Sequence, residues 1–229
     1  MRKCLRCEKE TLDTPCPYCG GGVFKKLTWK TEKRLLRDWT GNKTSTITTS
    51  GFHNNSNYER SQTDFYATDP IALEKLLEVE KFDNVWECAC GVGNLSEVLK
   101  KHNIHGKSSD LIDRSYGEQI DFLYHNIDWD GDIITNPPYK TATQFVYKAL
   151  ATLKEGRKLA MFFPQRYLSS KTRYKLFTQY PPLVVYAFSG RVSCALNNDF
   201  TKHSNSAVDY LWIVWQKGFL GETKLKWIL

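Results

Sequence analysis

The chain has 229 residues, 41% of them hydrophobic and 14% aromatic, enough to bury a sizeable core in one compact domain with a small appendage. No apolar run approaches the length of a membrane span, and Met1-Arg2-Lys3-Cys4 does not begin a secretory signal, so the expectation is a soluble, cytoplasmic protein. Of the formal net charge of +7, a share of +6 lies in residues 1–63, which hold 12 Lys/Arg against 6 Asp/Glu. Basic charge gathered in one segment marks a polyanionic partner, and a merely solubilising arm is the plain alternative.

The first strong motif is a pair of knuckles, Cys4-Leu5-Arg6-Cys7 and Cys16-Pro17-Tyr18-Cys19, followed by Gly20. Four thiolates in two Cys-x-x-Cys pairs suit a closed tetrahedral site. Residues 1–25 resemble a short zinc ribbon, with Cys4, Cys7, Cys16 and Cys19 as ligands of one structural zinc. Disulfides are the competing use of four cysteines, and an intracellular setting argues against them. No strand–helix pattern surrounds either pair, which argues against a thioredoxin-like redox motif. Iron stays open, because the ligands alone do not select the metal. So does the role of the ribbon: contact with nucleic acid, contact with a protein, or folding of the terminus. From Leu27 to Trp39, Leu35, Leu36 and Trp39 stand among Lys30, Lys33, Arg34 and Arg37, the pattern of a short basic amphipathic helix, whether free or packed on the main domain. Residues 40–63 are rich in Thr, Ser, Asn and Gly, a composition that cannot supply a core and reads as a flexible connector. The expected layout is thus a ribbon at 1–25, a basic helix and polar linker at 26–63, and a main domain at 64–229.

The main domain opens with Asp64-Phe65-Tyr66-Ala67-Thr68-Asp69-Pro70, where Pro70 suits the first turn of a helix that turns Leu73, Leu76 and Leu77 inward. Val85-Trp86-Glu87 then reads as a strand, and Cys88-Ala89-Cys90-Gly91-Val92-Gly93-Asn94 carries it through a glycine turn into a helix with Leu95, Val98 and Leu99 on one face. Glycines at a strand-to-helix turn admit a ligand close to the backbone, and an acidic residue on the strand can take its polar hydrogens. Cys88 and Cys90 read as small strand-end apolar residues, and Glu97 and Asp113 as solvated charges. Asp110 ends a second strand, Gly106 to Ser109, where such folds bind a ribose diol, and Asp121-Phe122-Leu123 follows.

Asp132-Ile133-Ile134-Thr135 reads as a buried strand that delivers Asn136-Pro137-Pro138-Tyr139 to its carboxyl end. Two prolines in succession fix the backbone and remove two N–H donors, leaving aimed carbonyls beside an amide and an aromatic ring. Such a surface grips a planar group bearing an exocyclic amine. Downstream, Ala142, Phe145, Val146, Ala149, Leu150 and Leu153 have helical spacing. Leu159 to Phe163 is a buried strand closed by Pro164, Arg173 to Phe177 a candidate helix, and Leu183 to Phe188 and Val208 to Trp215 the last two strands. Ser189 to Ala207, with Arg191, Lys202 and His203, reads as a polar loop that either borders the substrate or merely connects.

This ordered set resembles the S-adenosylmethionine-dependent methyltransferases, and within them small adenine-specific DNA enzymes of the phage type, over roughly residues 58 to 217. The resemblance implies an α/β, Rossmann-like seven-stranded methyltransferase sandwich carrying the small N-terminal ribbon. It implies that Asn136, Pro137, Pro138 and Tyr139 are catalytic. It places Phe65, Tyr66, Thr68 and Pro70 at the methionine end of S-adenosylmethionine, Glu87, Gly91 and Gly93 in the glycine loop, Asp110 on the ribose, and Asp121 and Phe122 at the adenine. The implied reaction is direct methyl transfer to the N6 amine of a flipped adenine that stacks on Tyr139, the Asn136 side-chain oxygen and the Pro137 carbonyl accepting from the amine. Nucleic acid, most simply DNA, is the expected partner. No target-recognition domain is evident, so sequence specificity is low, or comes from the basic arm or from a protein partner. RNA adenine and a protein glutamine side chain are alternative acceptors, and a non-catalytic nucleic-acid-binding protein on the same fold is a third reading.

Overall fold

The computed structural model describes residues 2–4, 10–11, 24–26, 66–190, 192, 194–196 and 208–229. The chain divides into two compact units, Met1–Asn54 and Asn55–Leu229. In the first, β1 (Arg2–Cys4), β2 (Glu10–Thr11) and β3 (Phe24–Lys26) form an antiparallel sheet in the order β2-β1-β3. Cys4 contributes its backbone to β1; Cys7, Cys16 and Cys19 lie outside the described residues, as do the segments 27–39 and 40–63 and Phe65.

The second unit begins with β4 (Tyr66–Thr68) and α1 (Pro70–Val79). Asp69 caps α1 by accepting the Ile71 N–H at 3.0 Å, and Pro70 occupies the first turn, where a missing N–H costs nothing. There follow β5 (Val85–Glu87), α2 (Asn94–Lys101), β6 (His105–Asp110), β7 (Glu118–Gln119), β8 (Ile133–Thr135), α3 (Ala142–Thr152) and β9 (Lys158–Pro164). After two short 3-10 turns come α4 (Tyr174–Gln179), β10 (Val184–Phe188), β11 (Cys194–Leu196), β12 (Tyr210–Gln216) and β13 (Lys224–Ile228).

Eight strands make one mixed sheet in the order β13-β10-β12-β9-β8-β5-β6-β7, and β12 runs antiparallel to both of its neighbours. The expected count of seven is corrected to eight. Six of them, β5, β6, β8, β9, β10 and β12, are the strands read from the sequence; two-residue β7 adds one end, and β13, parallel to β10, adds the other. Lys224-Leu225-Lys226-Trp227-Ile228 has no apolar run because it is an edge strand, exposed except at Ile228. A second correction concerns the Ser189–Ala207 loop, which contains β11. It pairs antiparallel with β4 in a two-stranded ribbon separate from the main sheet, with Cys194 opposite Thr68.

The central strands are covered on both faces, which is why they read as continuous apolar runs. Along β9, Leu159, Met161 and Phe163 face a core built with α3 and α4, while Ala160 and Phe162 face one built with α1 and α2. β12 alternates likewise, Leu211, Ile213 and Trp215 against Trp212 and Val214. The helices supply the residues that their spacing predicts: Leu73 and Leu76, Leu95, Val98 and Leu99, and Phe145, Val146, Ala149 and Leu150 are all buried. Asp132 anchors the start of β8. Its buried carboxylate accepts the Asp83 N–H at 2.8 Å and the Lys158 N–H at 2.7 Å, tying together three strand entrances, and burial raises its pKa. Among the described residues no helix is long and apolar enough to cross a membrane.

Candidate active site

Parallel strands β8, β5, β6 and β7 bring Asn136, Glu87, Asp110 and Asp121 to one edge of the sheet, at consecutive strand ends. Register places Trp86 opposite Ile133 and Glu87 opposite Ser108, and the Ile120 N–H bonds the Asp110 carbonyl at 2.8 Å. Ligands of open α/β sheets bind at this edge.

The glycine turn is held from β6. Asp110 Oδ2 accepts the Gly91 N–H at 2.8 Å and Oδ1 accepts the Ile112 N–H at 3.0 Å, so the carboxylate is oriented and each oxygen keeps a lone pair for a further donor. Gly91 and Gly93 both adopt left-handed backbone, φ +57° and +91°, which a side chain would strain. At Gly93 the vacant Cβ space is taken by the Tyr116 ring, not left to a ligand. That ring is fixed by its hydroxyl donating to Glu97 Oε1 at 2.6 Å and by Lys100, whose ammonium stands 4.8 Å from the ring centre.

Glu87 is 2% exposed. Burial pushes its carboxyl up to about 8, the Asp110 charge adding to this and the Ser96 hydroxyl opposing it. Ser96 donates to Glu87 Oε2; Ser96 Oγ meets Ser108 Oγ at 2.5 Å, and Ser108 Oγ meets His105 Nε2 at 2.7 Å. A hydrogen-bonded file thus runs from the buried carboxyl to an imidazole on the wall of an open groove of about 480 Å³, lined by Lys100, Lys107, Tyr116 and Trp129 among others. Neither the file nor Tyr116 is anticipated above. Its signal was present: Ser96 stands beside Leu95 on the buried side of α2, and Ser108 and Ser109 are buried in a strand. Cys88 and Cys90 are buried free thiols; desolvation raises both, Cys90 to about 12, so they stay protonated near neutrality.

Asp121 follows β7, its Oδ1 accepting the Leu123 N–H at 3.0 Å. Phe122 is 2% exposed and packs edge-on against Trp86, with ring centres 5.3 Å apart, and against Phe145 at 5.2 Å. It therefore backs the site from within the core. Pro70 stands exposed at the head of α1, and Tyr66 lends its backbone to β4.

Asn136 leaves the end of β8 and is held from the β4–β11 ribbon. Its Nδ2 donates to Thr68 Oγ1 at 2.8 Å and lies 4.0 Å from Cys194 Sγ, and its side-chain oxygen is shielded from solvent. Pro137 is buried and Pro138 exposed. The Pro138 carbonyl accepts the Thr141 N–H at 3.0 Å, turning the chain into α3. Tyr139 is half-buried, its ring 6.5 Å from Phe163; its hydroxyl points inward toward the Cys194 thiol, and burial holds its pKa well above the usual phenol value. Cys194 faces the hydroxyls of Tyr210, Thr68 and Tyr139, and its thiol is pushed up to about 11 by burial. Cys194 had no sequence signal, since nothing local marks a lone cysteine in a polar segment.

The arrangement offers carboxylates at Asp110 and Asp121, a buried carboxyl at Glu87 that is protonated near neutrality, and an oriented amide at the fourth strand end. A ligand bearing a diol fits this edge, and the oriented Asp110 carboxylate has the acceptor capacity for it. Among the described residues no group of three or more His, Cys, Asp or Glu is placed to hold a metal.

No protein-family model matches this chain, and no curated protein matches it in sequence. Solved structures resemble its chain path. A Listeria monocytogenes protein assigned to the class I S-adenosylmethionine-dependent methyltransferases is 14% identical with a TM-score of 0.43, over 69% of this chain and 62% of that one, just under two thirds of its length. The N-methyltransferase NodS of Bradyrhizobium japonicum, solved with S-adenosyl-L-homocysteine, is 13% identical with a TM-score of 0.44, over 65% and 85% of the two chains. An S-adenosylmethionine-dependent O-methyltransferase of Thermotoga maritima is 14% identical with a TM-score of 0.43, over 86% and 76%. Likeness of this degree assigns neither substrate nor site.

Proposed function

We propose that this chain is an S-adenosylmethionine-dependent methyltransferase acting on the exocyclic N6 amine of adenine in DNA. The observation that carries the reading is the placement of Asn136-Pro137-Pro138-Tyr139 at the carboxyl end of β8, beside the strand that ends in Glu87 and the Gly91 turn. Glu87, Asp110 and Asp121 would hold the cofactor from three strand ends, with Gly91 beneath it and Phe65, Tyr66 and Pro70 bordering its methionine end. When bound, S-adenosylmethionine supplies an electrophilic methyl group on a sulfonium. The Asn136 side-chain oxygen and the Pro137 carbonyl accept the two amine protons, which aims the nitrogen lone pair and stabilises positive charge as it develops. Tyr139 offers its ring to the base, and entry of the base displaces whatever shields the Asn136 oxygen. A side chain that removes a proton before attack is not needed.

The N-terminal unit is assigned to the nucleic-acid partner on its charge, with one structural zinc on the thiolates of Cys4, Cys7, Cys16 and Cys19. Elemental analysis of the reduced protein should find one zinc per chain. The decisive experiment incubates purified protein with labelled S-adenosylmethionine and, in parallel, duplex DNA, single-stranded DNA, RNA and cell protein. N6-methyladenine in DNA supports the reading, label in RNA or in glutamine moves the substrate, and label in none of the four removes the enzyme.

A further inference from the structure

We propose that Thr68 is a positioning residue for Asn136, acting from the β4–β11 ribbon to hold the Asn136 amide in place for the acceptor. The proposal rests on the reading of Asn136 as the amide that binds the acceptor amine. It reassigns Thr68 from the methionine end of the cofactor.

The terminal torsion of an asparagine is broad and roughly two-fold, so the side chain alone does not choose between presenting oxygen and presenting NH2. Neighbours hold it in place, and a threonine hydroxyl can do so from either end, accepting from the NH2 or donating to the oxygen. Here Nδ2 donates to Thr68 Oγ1 at 2.8 Å, and Thr68 is 3% exposed, so little water competes for that bond. In the orientation present the nitrogen lies on the ribbon and the oxygen is turned to the opposite side, the orientation that accepting from an amine demands. The reversed amide would set donor against donor.

The ribbon also carries the other end of the tetrad. Cys194 lies opposite Thr68 in the pairing of β11 with β4, and it faces both the Thr68 and the Tyr139 hydroxyls. Asn136 is thus gripped through its nitrogen by Thr68, and the Tyr139 hydroxyl is buried beside Cys194, without a hydrogen bond to it, on the same rung of a ribbon outside the main sheet. The rigid Pro137-Pro138 pair carries the backbone from Asn136 to Tyr139.

Valine is nearly isosteric with threonine but lacks the acceptor, whereas serine keeps it. In the full-length protein, Thr68→Val should lower kcat for methyl transfer about tenfold to a hundredfold, the cost of losing a buried hydrogen bond that holds the amide still. Affinity for S-adenosylmethionine, measured by calorimetry, should stay within about twofold, and Thr68→Ser should restore kcat to within about threefold. A Thr68→Val protein that keeps its kcat but loses cofactor affinity would return Thr68 to the methionine end and overturn the proposal. Unchanged kcat and affinity, or a faster enzyme, would overturn it as well. A second readout is independent of turnover: the Asn136 side-chain NH2 signals in nitrogen–proton spectra should exchange slowly with water in wild type and Thr68→Ser, and fast in Thr68→Val. Equal exchange in all three would overturn the proposal even if catalysis differed. A wild type that methylates none of the four acceptors defeats the reading of the site itself, a result distinct from each of these.

Discussion

The two halves of the site are held together in different ways. Around the glycine turn the groups hold one another over short stretches of chain: Ser96 reaches Glu87 across nine residues and Gly91 reaches Asp110 across 19. Asn136 is held by Thr68 and Cys194, 68 and 58 residues away. The turn half is therefore a property of one strand–helix–strand unit, whereas the Asn136 half exists only when the ribbon has closed on the completed sheet. Damage to the first should stay local; damage to the ribbon should reach the chemistry without touching the cofactor.

The largest test of that contrast is electrostatic. Between about pH 4.5 and 8 the turn half contains a group poised to change charge, while Cys194 and Tyr139 in the other half stay neutral because burial pushes both upward. Glu87 keeps its proton in the folded chain up to about 8, but an unfolded chain gives it up near 4.5. Its contribution is thus fully present below pH 4.5 and lost as the pH rises to 8, by up to about 5 kcal/mol. Glu87→Gln should abolish that component: urea denaturation across this range should show wild type losing stability relative to the variant as pH rises. Parallel pH curves would mean that Glu87 is not held protonated.

Next in size is Asn136→Ala, expected to lower kcat by about a hundredfold to a thousandfold, the loss of a donor–acceptor pair made in the transition state. Cofactor affinity should hold, because the Asn136 amide is assigned to the acceptor amine and is held by Thr68 of the β4–β11 ribbon. Transfer at the wild-type rate would make the tetrad structural. Asp110→Ala gives the reverse signature, weaker S-adenosylmethionine binding by about 1–3 kcal/mol with a smaller change in turnover at saturation. Calorimetry showing full affinity in both Asp110→Ala and Glu87→Ala would dissolve the pocket. The smallest effect is Tyr139→Phe, which keeps the ring and removes only an inward hydroxyl: about threefold or less in kcat and about 1 kcal/mol in stability. A larger loss would show that the hydroxyl, not the ring, serves the reaction.

The same contrast explains how far the sequence could be read. Strands β8, β9 and β12 were legible because burial on both faces demands unbroken apolar runs, and α1, α2 and α3 because one buried face imposes helical spacing. The strand ends carrying Glu87, Asp110 and Asn136 follow from those elements. Two-residue β7 and exposed β13 were not legible, since edge strands bury too little to leave a pattern. β11 was hidden for another reason: three residues whose partner is β4, on the far side of the domain in sequence, carry no local period. Ser96, Ser108 and His105 each look like ordinary helix or strand polar residues until packing aligns them. Gly93 was legible as a glycine that must stay glycine, but its neighbour, Tyr116, was not.

β13 has one further consequence. Among the described residues it pairs only with β10, so the outer edge of an eight-stranded sheet is left as a template on which another strand could grow. Leu225 and Trp227, 55% and 66% exposed, would welcome one. Lys224 and Lys226 would not: in a two-fold antiparallel approach centred on Leu225, each lysine meets the other in the second copy, and like charges directly opposite repel. The two ammonium groups thus act as gatekeepers of colloidal behaviour with little part in holding the fold. Their reach is a Debye length, about 10 Å at 0.1 M salt and about 3 Å at 1 M. Concentrated protein should therefore self-associate as salt is raised, and Lys224→Thr with Lys226→Thr should bring the same association on in dilute buffer.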